Sequence, residues 1–176
     1  MNKIFFTVIA FFALMQVSFA QDRVFAKGDK VVGLSTGFLS SAYSGNGWKM
    51  TAPPILLTGE YGIVDGLING NASIGAGVDF GYVSRKYNAP LLSYKYSNLI
   101  FGARGSFHYQ FVDKLDTYAG FMLGYDIVSG NDHYASSGFA WGSYVGARYY
   151  FFDNFAAMAE IGNNISLINV GVAFKF

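Results

Sequence analysis

Asn98-Leu99-Ile100-Phe101-Gly102-Ala103-Arg104-Gly105-Ser106-Phe107-His108-Tyr109-Gln110-Phe111 is the stretch that decides the fold. Leu99, Phe101, Ala103, Phe107, Tyr109 and Phe111 fall at alternate positions, and Asn98, Gly102, Arg104, Ser106, His108 and Gln110 fall between them. A period of two belongs to a β-strand, whose successive side chains leave opposite faces. One face of this strand is large and apolar, whereas the other is polar, charged and glycine-rich.

The alternation recurs along the chain and predicts eight strands, near 29–39, 53–63, 72–83, 97–111, 117–128, 138–151, 155–162 and 166–176. In the last, Ile168, Val170, Val172, Phe174 and Phe176 oppose Asn169, Gly171, Ala173 and Lys175. The phase of the charges is the same throughout. Glu60, Asp79, Arg104, Asp126, Arg148, Glu160 and Lys175, with His108 beside them, all fall on the face opposite the large apolar side chains. Many glycines share that face, among them Gly102, Gly120, Gly124, Gly142 and Gly146.

A sheet with this polarity fits a barrel that is apolar toward lipid and polar toward its own axis. The expected fold is therefore all-β, an eight-stranded antiparallel transmembrane up-and-down β-barrel. A soluble lipid-carrying barrel of the lipocalin kind would need the reverse polarity, with an apolar cavity and a hydrophilic exterior. Eight strands leave an interior barely wide enough for side chains, so glycines make room for Arg and Tyr to reach across. Glu60, Asp79, Arg104, His108, Asp126, Arg148, Glu160 and Lys175 are thus expected to form an interior polar network.

A repeated motif sets the hairpins. Tyr61-Gly62-Ile63-Val64-Asp65-Gly66-Leu67 returns as Tyr109-Gln110-Phe111-Val112-Asp113-Lys114-Leu115 and as Tyr149-Tyr150-Phe151-Phe152-Asp153-Asn154-Phe155. Each copy ends a strand with outward apolar residues and supplies an Asp suited to a tight turn. Short turns are therefore expected at one end of the barrel, and longer polar loops near 40–52, 84–96 and 129–137 at the other.

The first twenty residues read separately. Lys3 precedes an apolar run from Ile4 to Met15, and Ser18-Phe19-Ala20 closes it with small residues where signal peptidase cuts. The run is too short for a membrane-spanning helix. Residues 1–20 are expected to be a cleaved signal peptide and 21–176 the barrel domain, starting at Gln21. The absence of cysteine excludes disulfides, thiolate chemistry and a lipid-modified cysteine at the cleavage point. Bases and acids number 12 and 11, so no basic excess marks a nucleic-acid binder. Eighteen Phe, thirteen Tyr and twenty-two Gly disfavour helices and suit strands and turns.

The C-terminal Asn169-Val170-Gly171-Val172-Ala173-Phe174-Lys175-Phe176 resembles the signal read by the outer-membrane barrel-assembly machinery, with Val170, Val172, Phe174 and Phe176 as its outward residues. From about residue 27 onward the chain resembles the small outer-membrane barrels of the OmpX/OmpA/opacity type. That resemblance implies a bacterial outer-membrane location, both termini in the periplasm, and external loops. Members include adhesins, host-interaction factors and proteins without assigned activity.

Candidate chemistry is sparse. Ser106 and His108 share a face, with Asp79 or Asp126 as a conceivable third group, but the i and i+2 positions of a strand are about 7 Å apart. A polar interior network is the simpler expectation, and no cofactor is implied. Asp132-His133 supplies too few ligands for a metal. Arg85, Lys86 and Lys95 give the second loop a basic character suited to lipopolysaccharide phosphates. Tyr43 and Trp48 in the first loop and Tyr87, Tyr94 and Tyr134 in the others are candidate contacts for an external protein or glycan. Lipid, lipopolysaccharide and the assembly machinery are the expected partners of a monomeric, non-enzymatic barrel; a narrow pore and a lipid-modifying enzyme are the alternatives.

Overall fold

The computed structural model describes residues 23–38, 48–89, 92–130 and 136–176. The expected signal peptide, Tyr43 and the 132–134 loop residues lie outside them. Eight strands follow in chain order: β1 (Lys30–Phe38), β2 (Trp48–Leu67), β3 (Ala72–Ala89), β4 (Leu92–Val112), β5 (Leu115–Gly130), β6 (Gly138–Phe152), β7 (Phe155–Gly162) and β8 (Ile168–Lys175). Each pairs antiparallel with its sequence neighbour, and β1 pairs with β8 from Val31↔Lys175 to Phe38↔Ile168, so the sheet closes on itself. Closure pairs every strand on both sides through the middle of the wall, which a barrel in hydrocarbon requires.

The start of β1, the end of β8 and the connections after β2, β4 and β6 lie at one end, here the terminal end; the remaining connections lie at the far end. Two of the three motif copies make the expected tight turns, with Val112↔Leu115 and Phe152↔Phe155 paired across Asp113-Lys114 and Asp153-Asn154. The first copy departs from expectation. Its strand runs on to Leu67, and the chain turns through Ile68, Asn69 and Gly70, all with positive φ. Asp65 stays on β2, where it holds the Arg23 guanidinium at 2.9 Å and accepts from the Lys27 amide at 3.1 Å.

The outward face is the expected apolar one. Val32, Leu34, Leu57, Val78, Phe80, Phe101, Phe121, Leu123, Val145, Ile161 and Val172 are all exposed. Tyr61, Phe111, Tyr149, Phe151 and Phe176 ring the terminal end, and Tyr82, Tyr125, Phe139 and Trp141 the far end. Two aromatic girdles about an apolar band are what a bilayer selects, since amphipathic rings settle at its interfaces.

The wall is uneven in height. β1, β7 and β8 have nine, eight and eight residues, close to the roughly 9–11 that span a membrane. β2, β3 and β4 have 20, 18 and 21. The expected 84–96 loop is therefore a correction: β3 and β4 pair without a break from Ala72↔Tyr109 to Ala89↔Leu92. Trp48 likewise belongs to β2, opposite Tyr87. Polar outward residues made these segments look like loops, but their inner face keeps strand alternation.

Candidate functional site

Inside the barrel the charged side chains are buried and paired. On the terminal side, Glu60 (β2), His108 (β4), Asp116 (β5) and Arg148 (β6) form a closed ring. Arg148 donates to Glu60 Oε2 at 2.5 Å and to Asp116 Oδ2 at 3.2 Å. His108 completes the circle, with Nε2 3.1 Å from Glu60 Oε1 and Nδ1 2.8 Å from Asp116 Oδ1. Each carboxylate thus spends one oxygen on the guanidinium and the other on the imidazole. Arg148 in turn divides its two terminal nitrogens between two carboxylates, and such charge-assisted bonds offset part of the cost of burial.

A second cluster lies toward the far end. Arg104 donates to Asp79 Oδ1 at 2.9 Å, to Glu160 Oε2 at 3.0 Å and to the Tyr144 hydroxyl at 3.1 Å. Tyr118 joins the clusters: its hydroxyl donates to Glu160 at 3.2 Å, and the Arg148 guanidinium lies 4.4 Å from its ring centre. Arg104 sits 4.1 Å from the Tyr144 ring centre. Cations on aromatic faces gain more when water is excluded.

Glycine makes these crossings fit. Tyr118 pairs with Gly146 and Tyr144 with Gly120 between β5 and β6. A Cβ on Gly146 would fall 2.4 Å from Tyr118 Cζ, and one on Gly120 would fall 2.1 Å from the Gly105 carbonyl and 2.6 Å from the Tyr144 hydroxyl. Each ring lies over the pleat that its partner glycine leaves bare.

The chain also closes both mouths, which sequence reading missed. At the terminal end, residues 23–28 fold inward. Phe25 stacks on His108 with ring centres 4.0 Å apart, Ser73 donates to the Phe25 carbonyl, and the Val24 amide donates to Gln110. Lys175 donates to the Val24 carbonyl at 3.1 Å and lies 3.7 Å from Asp29. At the far end, the β7–β8 connection drops Ile165 among Leu56, Val83, Ile100 and Met122.

Of the residues expected to form the interior network, Glu60, Asp79, Arg104, His108, Arg148 and Glu160 do so. Two belong elsewhere. Lys175 clasps the terminal arm, and Asp126 is only half-buried near the far end, accepting from Asn98 at 2.8 Å. Lying at opposite mouths, they cannot pair across the axis. Asp116 was missed, though it is in phase with the inward Tyr118 and Gly120. The Ser106–His108 pairing does not form: Ser106 Oγ lies 2.8 Å from the Tyr144 hydroxyl, and carboxylates take both His108 nitrogens. Val170, Val172, Phe174 and Phe176 are exposed on the outward face as expected.

Beyond the far girdle, β2, β3 and β4 continue as a three-stranded platform. Its inner side carries Trp48, Arg85, Tyr87, Tyr94 and Tyr96; Trp48 lies 5.2 Å from the Tyr87 ring and 5.7 Å from Tyr96. Arg85 is buried there and is not the exposed loop cation expected. Lys86, Tyr87, Tyr94 and Lys95 are also strand residues, in ordered cross-strand pairs.

Comparison with solved structures places this architecture. The chain is similar to Ail, the attachment invasion locus protein of Yersinia pestis, with a TM-score of 0.53 and 13% identity over 85% of this chain and 99% of that one. It is also similar to the outer membrane protein OprG from Pseudomonas aeruginosa, with a TM-score of 0.56 and 11% identity over 88% and 99% of the two chains. At such identities the likeness is one of fold, that of the small eight-stranded outer-membrane barrels. No protein-family model and no curated protein matches the sequence.

Proposed function

We propose that this chain is a non-enzymatic, integral barrel of the bacterial outer membrane whose interior is structural and whose outward work is done at the far end. The observation that carries this reading is the division of the molecule. Its axis is filled by mutually paired charges under chain segments at both mouths, whereas the tall β2–β4 platform rises beyond the far girdle. A narrow barrel whose axis is filled by side chains among the described residues supports structure or surface contact better than transport. Ser106 and His108, engaged with other partners, argue against hydrolysis of a lipid.

In this reading the terminal end faces the periplasm and residues 1–20 are removed at Ala20. The outward Val170, Val172, Phe174 and Phe176 are read by the assembly machinery. Lipid and lipopolysaccharide surround a monomer, and an external protein or glycan meets the platform and its loops, Tyr43 included.

The test combines three measurements on the mature protein. Mass spectrometry of the outer-membrane fraction should find a chain beginning at Gln21. The refolded barrel should show no reproducible conductance steps in planar bilayers and no turnover of labelled phospholipid or lipid A. Stable conductance steps would replace this reading with that of a narrow pore, and turnover with that of an enzyme.

A further inference from the structure

The turn between β2 and β3 carries two of the three non-glycine residues with positive φ among the described residues. Leu67 and Ala72 close it as register partners, and Ile68, Asn69 and Gly70 take φ of 45°, 57° and 93° in succession. A β-branched residue in that region is an outlier, because its crowded Cβ presses on the backbone. β2 runs on from Tyr61, in the terminal girdle, to Leu67, so the turn stands clear of the apolar band and Asn69 is exposed. Among the described residues Asn69 is also the one asparagine followed by glycine.

That pair has a reactivity of its own. The Gly70 amide nitrogen can attack Cγ of the Asn69 side chain, since glycine has no Cβ to shield it. A bond forms between the nitrogen and Cγ, the nitrogen gives up its proton, and the Cγ–Nδ2 bond breaks to release ammonia. Water then opens the five-membered imide. Cleavage at Cγ leaves aspartate, whereas cleavage at the main-chain carbonyl leaves isoaspartate, whose backbone runs through the former side chain and is one methylene longer. Solvent is the only co-reactant.

The closed turn blocks this attack. The Gly70 amide donates to the Leu67 carbonyl at 3.1 Å, and the Asn71 amide to the Ile68 carbonyl at 3.2 Å. The terminal arm holds the same residues: Arg23 donates to the Gly70 carbonyl at 3.2 Å while it pairs with Asp65. The Asn71 carbonyl accepts from the Gln110 amide, and the Gln110 side chain takes the Val24 amide. Strain at Ile68 and Asn69 favours opening, and the arm resists it.

We propose that Asn69-Gly70 is a site of spontaneous deamidation, held back by the docked arm, and that its isoaspartate product releases the arm from the terminal mouth. An extra methylene between the paired Leu67 and Ala72 cannot leave both turn hydrogen bonds in place. The Gly70 carbonyl then moves off the Arg23 guanidinium, and the cover over His108 loses its outer clasp. The arm guards the turn, the turn holds the arm, and the modification undoes both in one direction only.

The experiment ages the full mature barrel, refolded in detergent, in mildly alkaline buffer. Peptide mass spectrometry follows each asparagine, with fragmentation that separates isoaspartate from aspartate. Asn69 should convert ahead of Asn71, Asn154 and Asn163, which are also exposed. Arg23→Gln should quicken its conversion about fivefold, through loss of one hydrogen bond and an exposed ion pair. Aged chains, separated from intact ones by their added negative charge, should exchange hydrogen faster at the Val24 and Gln110 amides. Asn69→Gly fits positive φ and cannot deamidate, so ageing should leave its exchange unchanged. Asn69 intact after the other exposed asparagines have reacted, or equal rates in wild type and Arg23→Gln, would overturn the proposal. So would unaltered exchange at Val24 in chains that carry isoaspartate.

Discussion

Arg104 and Lys86 lie on neighbouring strands, one facing the axis and the other facing outward. Arg104 is wholly buried between Asp79 and Glu160, and Arg148 likewise between Glu60 and Asp116. Lys86 instead stands between Lys49 and Lys95 on the outward face. The difference shows what solvent does for a charge. In the sealed axis a cation must find its counterions within the protein, since an unmatched one carries a desolvation cost of several kcal/mol. On the platform, water, salt and head groups are at hand, and like charges can be set together.

The largest effect expected from this contrast is at Arg148. Arg148→Ala leaves Glu60 and Asp116 without their guanidinium and should cost about 3–5 kcal/mol, read by urea unfolding in lipid vesicles. Arg104→Ala should fall in the same range. Losses below about 1 kcal/mol at both positions would mean that water enters the axis, and the comparison would fail.

Placing a cation on the outward face but within the apolar band tests whether depth is what spares the lysines. Val172 is exposed on that face, and Val172→Arg should cost about 2–4 kcal/mol if it lies near the midplane, less toward an interface. Ala173→Ser, on the inward face, should cost much less. If the Ser variant is the more damaging in the same unfolding assay, the two faces have been exchanged.

A smaller effect is expected where the terminal arm covers the ring. Phe25→Leu keeps an apolar plug but removes the stacking on His108, with an expected cost of about 0.5–1.5 kcal/mol. No change would show that the arm is detached in the membrane. The smallest effect has the opposite sign. In low-salt detergent free of lipid A, Lys86→Gln should stabilise the barrel by about 0.2–1 kcal/mol by removing two like-charge contacts. The gain should vanish at high ionic strength. A loss of stability would mean that favourable contacts of Lys86 outweigh the repulsion.

The barrel was legible because its signal is redundant: eight segments repeat one alternation, and every inward charge agrees in phase. The interior was less so. Asp116 follows a turn, so it was read as part of the connection, although counting back by twos from Tyr118 reaches it. The inward fold of Phe25 and Ile165 carries no periodic signal, because neither lies on a strand and each is placed by long-range packing. The platform misled in another way. Alternation of apolar with polar marks a strand only where one face meets lipid or core. Beyond the girdle both faces of β3 and β4 carry polar groups, and the register among Lys49, Lys86 and Lys95 appears only once the strands are paired.

The uneven wall also sets an order of assembly. The β3–β4 ladder is long, unbroken and local in sequence, so closing it costs little chain entropy. The β1–β8 seam joins two of the shortest strands across nearly the whole chain, and such distant pairings form late. The hairpin that carries two of the three lysines is then the seed from which the barrel zips, and the seam is the last latch. Substitutions within the β3–β4 ladder should slow folding, while those along β1 and β8 should chiefly hasten unfolding.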